Sequence, residues 1–256
     1  MAEKNLDFDT VIDRTHTNSL KYDFAVQRGK PKDVLPLWVA DMDFQVSSYI
    51  QEALSGSVAH GIFGYSEAEG SYFEAVAGWM SRHYGWNVEE TWLVKTPGIV
   101  FALAQAVRAF TEPGDAVLLQ QPVYYPFSQV IRDNGRKIVD NTLVQGEDGR
   151  YRIDFADFEE KIRSCKVKLF FLCNPHNPVG RVWTREELLR LGDICEKYGV
   201  IVVSDEIHAD FVFEGSHQVL VGLKESYRKF VVTCTAPSKT FNLAGLQVSN
   251  IFIPDD

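Results

Sequence analysis

The sequence predicts an α/β fold organised on a mostly parallel β-sheet, and two observations carry that prediction. Apolar runs such as Val200-Ile201-Val202-Val203 and residues 168–173 are continuous instead of alternating, the pattern of strands buried on both faces. Between such runs lie stretches of helical periodicity with cap residues at their ends. Regular alternation of strand and helix means helices packed on a parallel sheet. A chain of 256 residues can bury a large core as one such domain or two smaller ones. No repeat, low-complexity tract or linker-like stretch divides it.

Taken in order, residues 1–34 are polar and irregular and read as an extended arm or a short first element. Residues 36–44 read as a short apolar strand ending in acids. Ser47 offers an N-cap to a helix running to about Ala59. His60-Gly61-Ile62-Phe63-Gly64-Tyr65 is a glycine-punctuated loop that exposes aromatics. The next helix, residues 71–84, carries Phe73, Val76, Ala77 and Met80 on one face. Thr96-Pro97-Gly98 then opens an almost wholly apolar helix, Ile99–Phe110. Such a start presents unpaired N–H groups to an anion, although many buried helices begin in the same way. Strands follow at residues 116–121 and 137–144, with a helix over 125–134 between them and Gly135 at its end. Asp154 caps a helix to about Arg163, and residues 168–173 form a buried strand. Thr184-Arg185-Glu186-Glu187 is a capping box, and the helix it opens ends at Gly199. Residues 200–203, 230–234 and 248–253 are the remaining strands.

Composition narrows the partners. With 26 basic and 35 acidic residues the net charge is −9, and no basic run of five or more occurs, which argues against nucleic acid and anionic membrane surfaces. No stretch reaches the ~20 apolar residues that a membrane helix needs. Residues 1–9 contain no apolar core of a signal peptide, so the expected compartment is the cytoplasm. Cys165, Cys173, Cys195 and Cys234 show no C-x-x-C spacing and read as reduced, mostly buried thiols.

In a parallel α/β sheet ligands bind beyond the carboxyl ends of the strands. The residues there are Gln121-Pro122-Val123-Tyr124-Tyr125, Asn174-Pro175-His176-Asn177-Pro178, Ser204-Asp205-Glu206-Ile207-His208 and Pro237-Ser238-Lys239. They offer aromatic rings, carboxamides, a carboxylate and an amine, with no metal-ligand spacing and no glycine-rich dinucleotide fingerprint. Lys239 follows a buried strand among small and hydroxylic residues. A lysine desolvated in that way loses its proton readily and can form a Schiff base; the plainer reading is a loop lysine with its stem on the surface. The set as a whole fits pyridoxal 5'-phosphate, which needs an amine for its aldehyde and a carboxylate beside its ring nitrogen. It also needs a donor to its phenolate, a ring against its face and an anion site.

With these motifs the chain resembles the aminotransferase class I/II superfamily of fold-type I pyridoxal phosphate enzymes. Within it the chain looks most like the C–S β-lyase branch of cystathionine β-lyases and cystalysin-like cysteine desulfhydrases. The resemblance runs from about residue 35 to the end. It rests on Trp38-Val39-Ala40-Asp41-Met42-Asp43-Phe44, Pro122-Val123-Tyr124-Tyr125-Pro126-Phe127, Asn174-Pro175-His176-Asn177-Pro178-Val179-Gly180, Ser204-Asp205-Glu206-Ile207-His208 and Pro237-Ser238-Lys239-Thr240-Phe241-Asn242-Leu243-Ala244-Gly245. It implies that Lys239 is the Schiff-base lysine and the acid/base, and that Asp205 pairs with the pyridinium N–H. A surface or capping role for Asp205 is the weaker reading, because it ends a β-branched core strand. Asn177, with Asn174 as its competitor, would donate to the phenolate, and both Asn–Pro bonds are cis candidates. Tyr124 would stack on the ring, while Gly98 and Ile99 would give backbone N–H groups to the phosphate. Tyr65 would reach the phosphate of a neighbouring subunit, which implies a homodimer with shared sites. Glu206 carries no implied role.

Three positions depart from the family pattern. Gln247 stands where many relatives have a phosphate-binding arginine, and Ala236 stands where a small hydroxylic residue is usual, with Ser238 and Thr235 as substitutes. His208 replaces the tyrosine usual in aminotransferases, as in the lyase branch. The resemblance implies an arm and the start of a small-domain segment over residues 1–45 and the cofactor-binding large domain over residues 46–256. It places the rest of the family's small C-terminal domain, with the arginine that grips the substrate carboxylate, outside this sequence. The expected activity is cleavage of L-cystathionine or related cysteine S-conjugates to thiol, pyruvate and ammonia. The alternatives are an aminotransferase, or a regulatory protein or inactive fragment that binds the cofactor without turnover.

Overall fold

The computed structural model describes residues 7–254. Residues 1–6 and 255–256, on which the signal-peptide reading and the outer limits of the two expected domains fall, lie outside the described residues. In chain order the elements are α1 Ser48–His60, α2 Gly70–Tyr84, β1 Leu93–Thr96, α3 Ile99–Phe110, β2 Ala116–Leu119, α4 Tyr125–Asp133 and β3 Lys137–Asp140. They continue as β4 Val144–Gln145, β5 Tyr151–Arg152, α5 Phe155–Cys165, β6 Leu169–Cys173, α6 Arg185–Tyr198, β7 Ile201–Asp205, β8 Val231–Thr235 and β9 Ser249–Phe252.

Seven strands form one sheet in the order β1-β9-β8-β7-β6-β2-β3. β2, β3, β6, β7 and β8 are parallel, and β9 runs antiparallel to both β8 and β1. Successive residues on a strand point to opposite faces, and this alternation divides the core into two layers. Phe170, Leu172 and Val202 meet Phe158 and Ile162 of α5, Leu188 and Leu191 of α6, and Met80 of α2. Leu169, Phe171 and Val203 meet Leu103 and Val107 of α3 and Phe127 and Ile131 of α4. The result is a three-layer sandwich, as the continuous apolar runs predict.

The predicted caps form. Ser47 Oγ accepts from Tyr49 N at 3.3 Å, and the Asp154 carboxylate accepts from Ala156 N and Asp157 N, each at 3.0 Å. Glu187 N donates to Thr184 Oγ1 at 3.2 Å while Thr184 N donates to Glu187 Oε2 at 2.9 Å, completing the capping box. Each such cap contributes about 1 kcal/mol.

Three segments differ from the sequence reading. Residues 36–44 form no strand. Val39 takes a left-handed φ of 60°, and Asp41 and Asp43 pair with Arg14 and Lys21, so polar side chains hold this segment in place of a sheet neighbour. The strand over 137–144 stops at Asp140, because buried Asn141 turns the chain by bonding Gln120 Nε2, Asp154 O and Asp157 Oδ2. Val144 then pairs with β5 in a separate hairpin. β1 was not anticipated; its partner β9 lies far along the chain, and no local pattern announces a four-residue edge strand.

Candidate active site

The parallel strands deliver their carboxyl ends to one cavity of about 650 Å³. Of the residues singled out from sequence, Lys239, Asp205, Asn177, Tyr124, Gly98, Ile99 and Ser238 all line it. Tyr65 does not: it sits in the 61–69 loop and is fully exposed.

Asp205 closes β7. It is 6% exposed, and its Oδ1 accepts from Ile207 N at 3.1 Å. Burial pushes its pKa up to about 7, against the pull of the Ile207 amide and Lys239, with Glu206 adding to the rise. A carboxylate held so uncomfortably favours a cationic N–H partner. Glu206, the next residue, faces the other way. Ser204 Oγ donates to it at 2.8 Å, His217 Nε2 lies 2.8 Å away and Leu220 N donates at 3.3 Å, so it fastens the 211–220 loop to the strand end.

The structure separates the two asparagines. Asn174 is fully buried; its Oδ1 accepts from Trp183 N at 3.3 Å and its Nδ2 donates to Gln218 O at 3.2 Å. That side chain is committed to holding loops together. Asn177 is the one on the cavity wall, and its carbonyl accepts from Tyr124 N at 3.0 Å, coupling the loops after β6 and β2. His176 adds a second tie, with Nε2 3.0 Å from Pro122 O. Burial lowers its pKa to about 4, so the ring is neutral and donates there. The Asn174–Pro175 and Asn177–Pro178 bonds are both cis, as is Gln121–Pro122.

Tyr124 opens α4 and lines the cavity beside Tyr125, ring centroids 5.4 Å apart; burial raises its phenol pKa. At the start of α3, Gly98 takes a φ of 91°, a left-handed conformation suited to glycine. The Gly98 N–H donates to Thr96 O at 2.9 Å. It is therefore spent on the turn, and the N–H groups of Ile99 and Val100 are the ones that open the helix toward the cavity. Gln247 and Ala236 line the cavity as well, so both departures from the family pattern lie where they bear on an anion.

Lys239 follows β8, part-buried, and its Nζ donates to Ala40 O at 3.3 Å. Burial lowers its pKa, while Asp41 and Asp205 oppose that fall. His208 also lines the cavity, and burial followed by the Lys239 charge lowers its pKa. Arg28 and Leu37, to which the sequence pattern gives no role, join the same wall, and Ala40 of the 38–44 motif meets Lys239 there across some two hundred positions. A smaller cavity of about 310 Å³ shares Ile207, Ala236 and Val248 with this one but is mostly apolar. Among the described residues no group of three or more His, Cys, Asp or Glu could hold a metal. No helix among them is long and apolar enough to cross a membrane.

Known proteins resemble this chain along nearly its whole length. The aminotransferase class I and II family matches residues 32–256. Cystathionine beta-lyase PatB of Bacillus subtilis is 49% identical over 251 residues, covering 98% of this chain and 65% of that protein. Protein MalY of Escherichia coli is 33% identical over 241 residues, covering 94% of this chain and 61% of its own length. The crystal structure of cystalysin from Treponema denticola, which contains a pyridoxal 5'-phosphate cofactor, superposes with a TM-score of 0.92 at 38% identity, over 98% of this chain and 64% of that one. The chain thus spans a little under two thirds of the length of these relatives.

Proposed function

From the premise that the chain belongs to the aminotransferase class I and II family, we propose that it acts as a pyridoxal 5'-phosphate-dependent carbon–sulfur β-lyase. The substrate class is L-cystathionine or a related cysteine S-conjugate, split at the Cβ–S bond to thiol, pyruvate and ammonia. The observation that carries the reading is the single cavity holding an amine, a buried carboxylate, a carboxamide, an aromatic ring and an open helix start. That donor set matches the needs of the cofactor one for one.

In this reading Lys239 would hold the cofactor through its aldehyde, Asp205 would receive the ring N–H, Asn177 would donate to the phenolate and Tyr124 would pack against the ring. The Ile99 amide and Ser238, with Gly98 shaping the turn, hold the phosphate. When bound, the group supplies an electron sink for charge that develops at the substrate Cα. The Lys239 amine would take the substrate Cα proton. Its burial and lowered pKa suit that task, because a base works best with a pKa near the working pH.

His208 at the position where aminotransferases carry tyrosine, together with the lyase names of the relatives, favours β-elimination over transamination. Exposed Leu54 and Val58 on α1, with Ile62, Phe63 and Tyr65 beyond it, support a homodimer in which Tyr65 serves the partner's site. Residues 1–45 are read as an arm leading into the small domain and residues 46–256 as the large domain. Free, buried Cys173, Cys195 and Cys234 fit a cytoplasmic protein.

The test is to incubate the chain and pyridoxal phosphate with L-cystathionine and to assay pyruvate and free thiol. Equimolar release of both is expected. Transfer of the amino group to an added keto acid without thiol release would assign the aminotransferase reading instead.

A further inference from the structure

The segment of residues 38–44, whose Trp38, Val39 and Ala40 line the cavity, has no strand neighbour, yet it lies against Lys239. One side chain from the Lys239 turn binds its backbone directly. Asn242 Oδ1 accepts from Met42 N at 2.9 Å, and its Nδ2 donates to Met42 O and Phe44 O, each at 3.1 Å. A carboxamide carries both an acceptor and donors, so Asn242 pairs the segment's backbone as a neighbouring strand would. Asn242 itself sits at a φ of 55°, a left-handed position that asparagine tolerates better than most residues, in the turn where its N–H reaches back to Lys239 O at 3.4 Å. The same turn therefore carries the amine and the clasp. Two residues from Met42, Ala40 O accepts the Lys239 ammonium at 3.3 Å. The opposite side of the segment is tied down separately: Arg14 pairs with Asp41 and Asp43 at 2.6 Å each, and Lys21 with Asp43 at 2.9 Å.

We propose that Asn242 is a positioning residue that clasps residues 38–44 onto the Lys239 turn and thereby sets the surroundings of the Lys239 amine. The inference builds on the role given to Lys239 above. The titratable groups that line the cavity with the amine are Asp205 and His208 after β7, Tyr124 and Tyr125 at the start of α4, Cys173 at the end of β6 and Arg28 from the N-terminal segment, and the Asp41 charge acts on it from the clasped segment. The clasped segment has opposed effects: it screens the amine from water, which favours the neutral form, and it brings the Asp41 charge and the Ala40 carbonyl, which favour the ammonium. Burial as a whole is the largest influence on Lys239, and with the segment's share of that cover removed the proton affinity of the amine is expected to rise toward that of an ordinary lysine.

Asn242→Gly tests this, since glycine keeps the left-handed turn and removes only the clasp. In the full chain freed of cofactor, the rate at which an acylating reagent modifies Lys239 is followed against pH by mass spectrometry. The midpoint is expected to move up, and a rise of about one pH unit slows modification at pH 8 about tenfold. Asn242→Asp, which keeps the acceptor and sets a carboxylate against the Met42 and Phe44 carbonyls, is expected to move it the same way and serves if the glycine variant does not fold. An unchanged midpoint in the folded variants overturns the proposal. Borohydride fixation of pyridoxal phosphate on Lys239 of the parent chain tests the cofactor assignment separately. Its failure removes that assignment while the pH profile still decides the clasp.

Discussion

The cavity has two walls of different construction. One is made of strand ends, residues 173–177, 204–208 and 235–239, each continuing from a β-ladder whose neighbours lie on both sides. Beneath it lie fully buried side chains such as Phe171 and Val203. The other wall, residues 37–40, has no ladder; ion pairs from Arg14 and Lys21 to Asp41 and Asp43 and the Asn242 carboxamide at Met42 hold the chain that continues from it through residue 44. The first wall is held by burial and backbone pairing, which are cooperative and insensitive to any one polar contact. The second is held by a handful of side-chain contacts and is correspondingly easy to loosen without unfolding the molecule. The rigid wall carries the groups assigned to the cofactor, and the side-chain-held wall touches the amine that must change partners.

Lys239→Ala is expected to lower pyruvate release from L-cystathionine by about 10²-fold or more, the usual share of a positioned proton-transfer group; turnover at the parental rate would remove Lys239 from its role. On the rigid side, Phe171→Ala opens a void under the sheet where Phe171 meets Phe127 with centroids 5.7 Å apart. It should cost about 3–5 kcal/mol in urea unfolding.

Asp205 gives a pH test of the same wall. Its pKa rises from 3.8 to about 7 on folding, so its stabilising share is complete below pH ~4 and is lost as pH rises through ~7. His176 has the opposite sign: its pKa falls from 6.5 to about 4, so its share is complete above ~6.5 and is lost as pH falls through ~4. The two oppose each other over most of this range, and Asp205→Asn separates them. Relative to that variant, the cofactor-free parent should become less stable between pH 5 and pH 8 in urea melts. The loss should be a few kcal/mol at most, since a tenfold change in proton affinity is worth about 1.4 kcal/mol. A constant difference would show that Asp205 is not the desolvated acid described. Smallest is Arg14→Met on the side-chain-held wall. An ion pair that is only part-buried contributes roughly 0–1 kcal/mol, so the melt should move little while protease cleavage within residues 38–44 accelerates. A loss as large as that of Phe171→Ala would erase the distinction between the walls.

Much of the fold was legible because its cues are local. Continuous β-branched runs, the Asp154 cap, the Thr184 capping box and Gly199 each act within a few residues, and the strand ends follow from the runs. β1 was not legible, since its identity as a strand depends on Ser249–Phe252 at the far end of the chain. Residues 36–44 misled for a related reason: an apolar run ending in acids reads as a strand, but no free sheet edge meets it and Asn242 takes its backbone instead.

In the site, residue types and their order along the chain identify the set of groups, because each cofactor need calls for a distinct chemistry at a strand end. The choice between Asn174 and Asn177 is different: both are asparagines before a proline, and only the loop packing that buries Asn174 against Trp183 and Gln218 leaves Asn177 on the cavity. The Gly98 amide is likewise withdrawn by a turn to Thr96 that has no sequence mark of its own. Local patterns along the chain set the layered sheet, its strand ends and the kinds of group they carry. Which asparagine, which amide and which backbone carbonyl face Lys239 was decided by tertiary contacts, because hydrogen bonds between segments up to two hundred residues apart leave no periodicity to read.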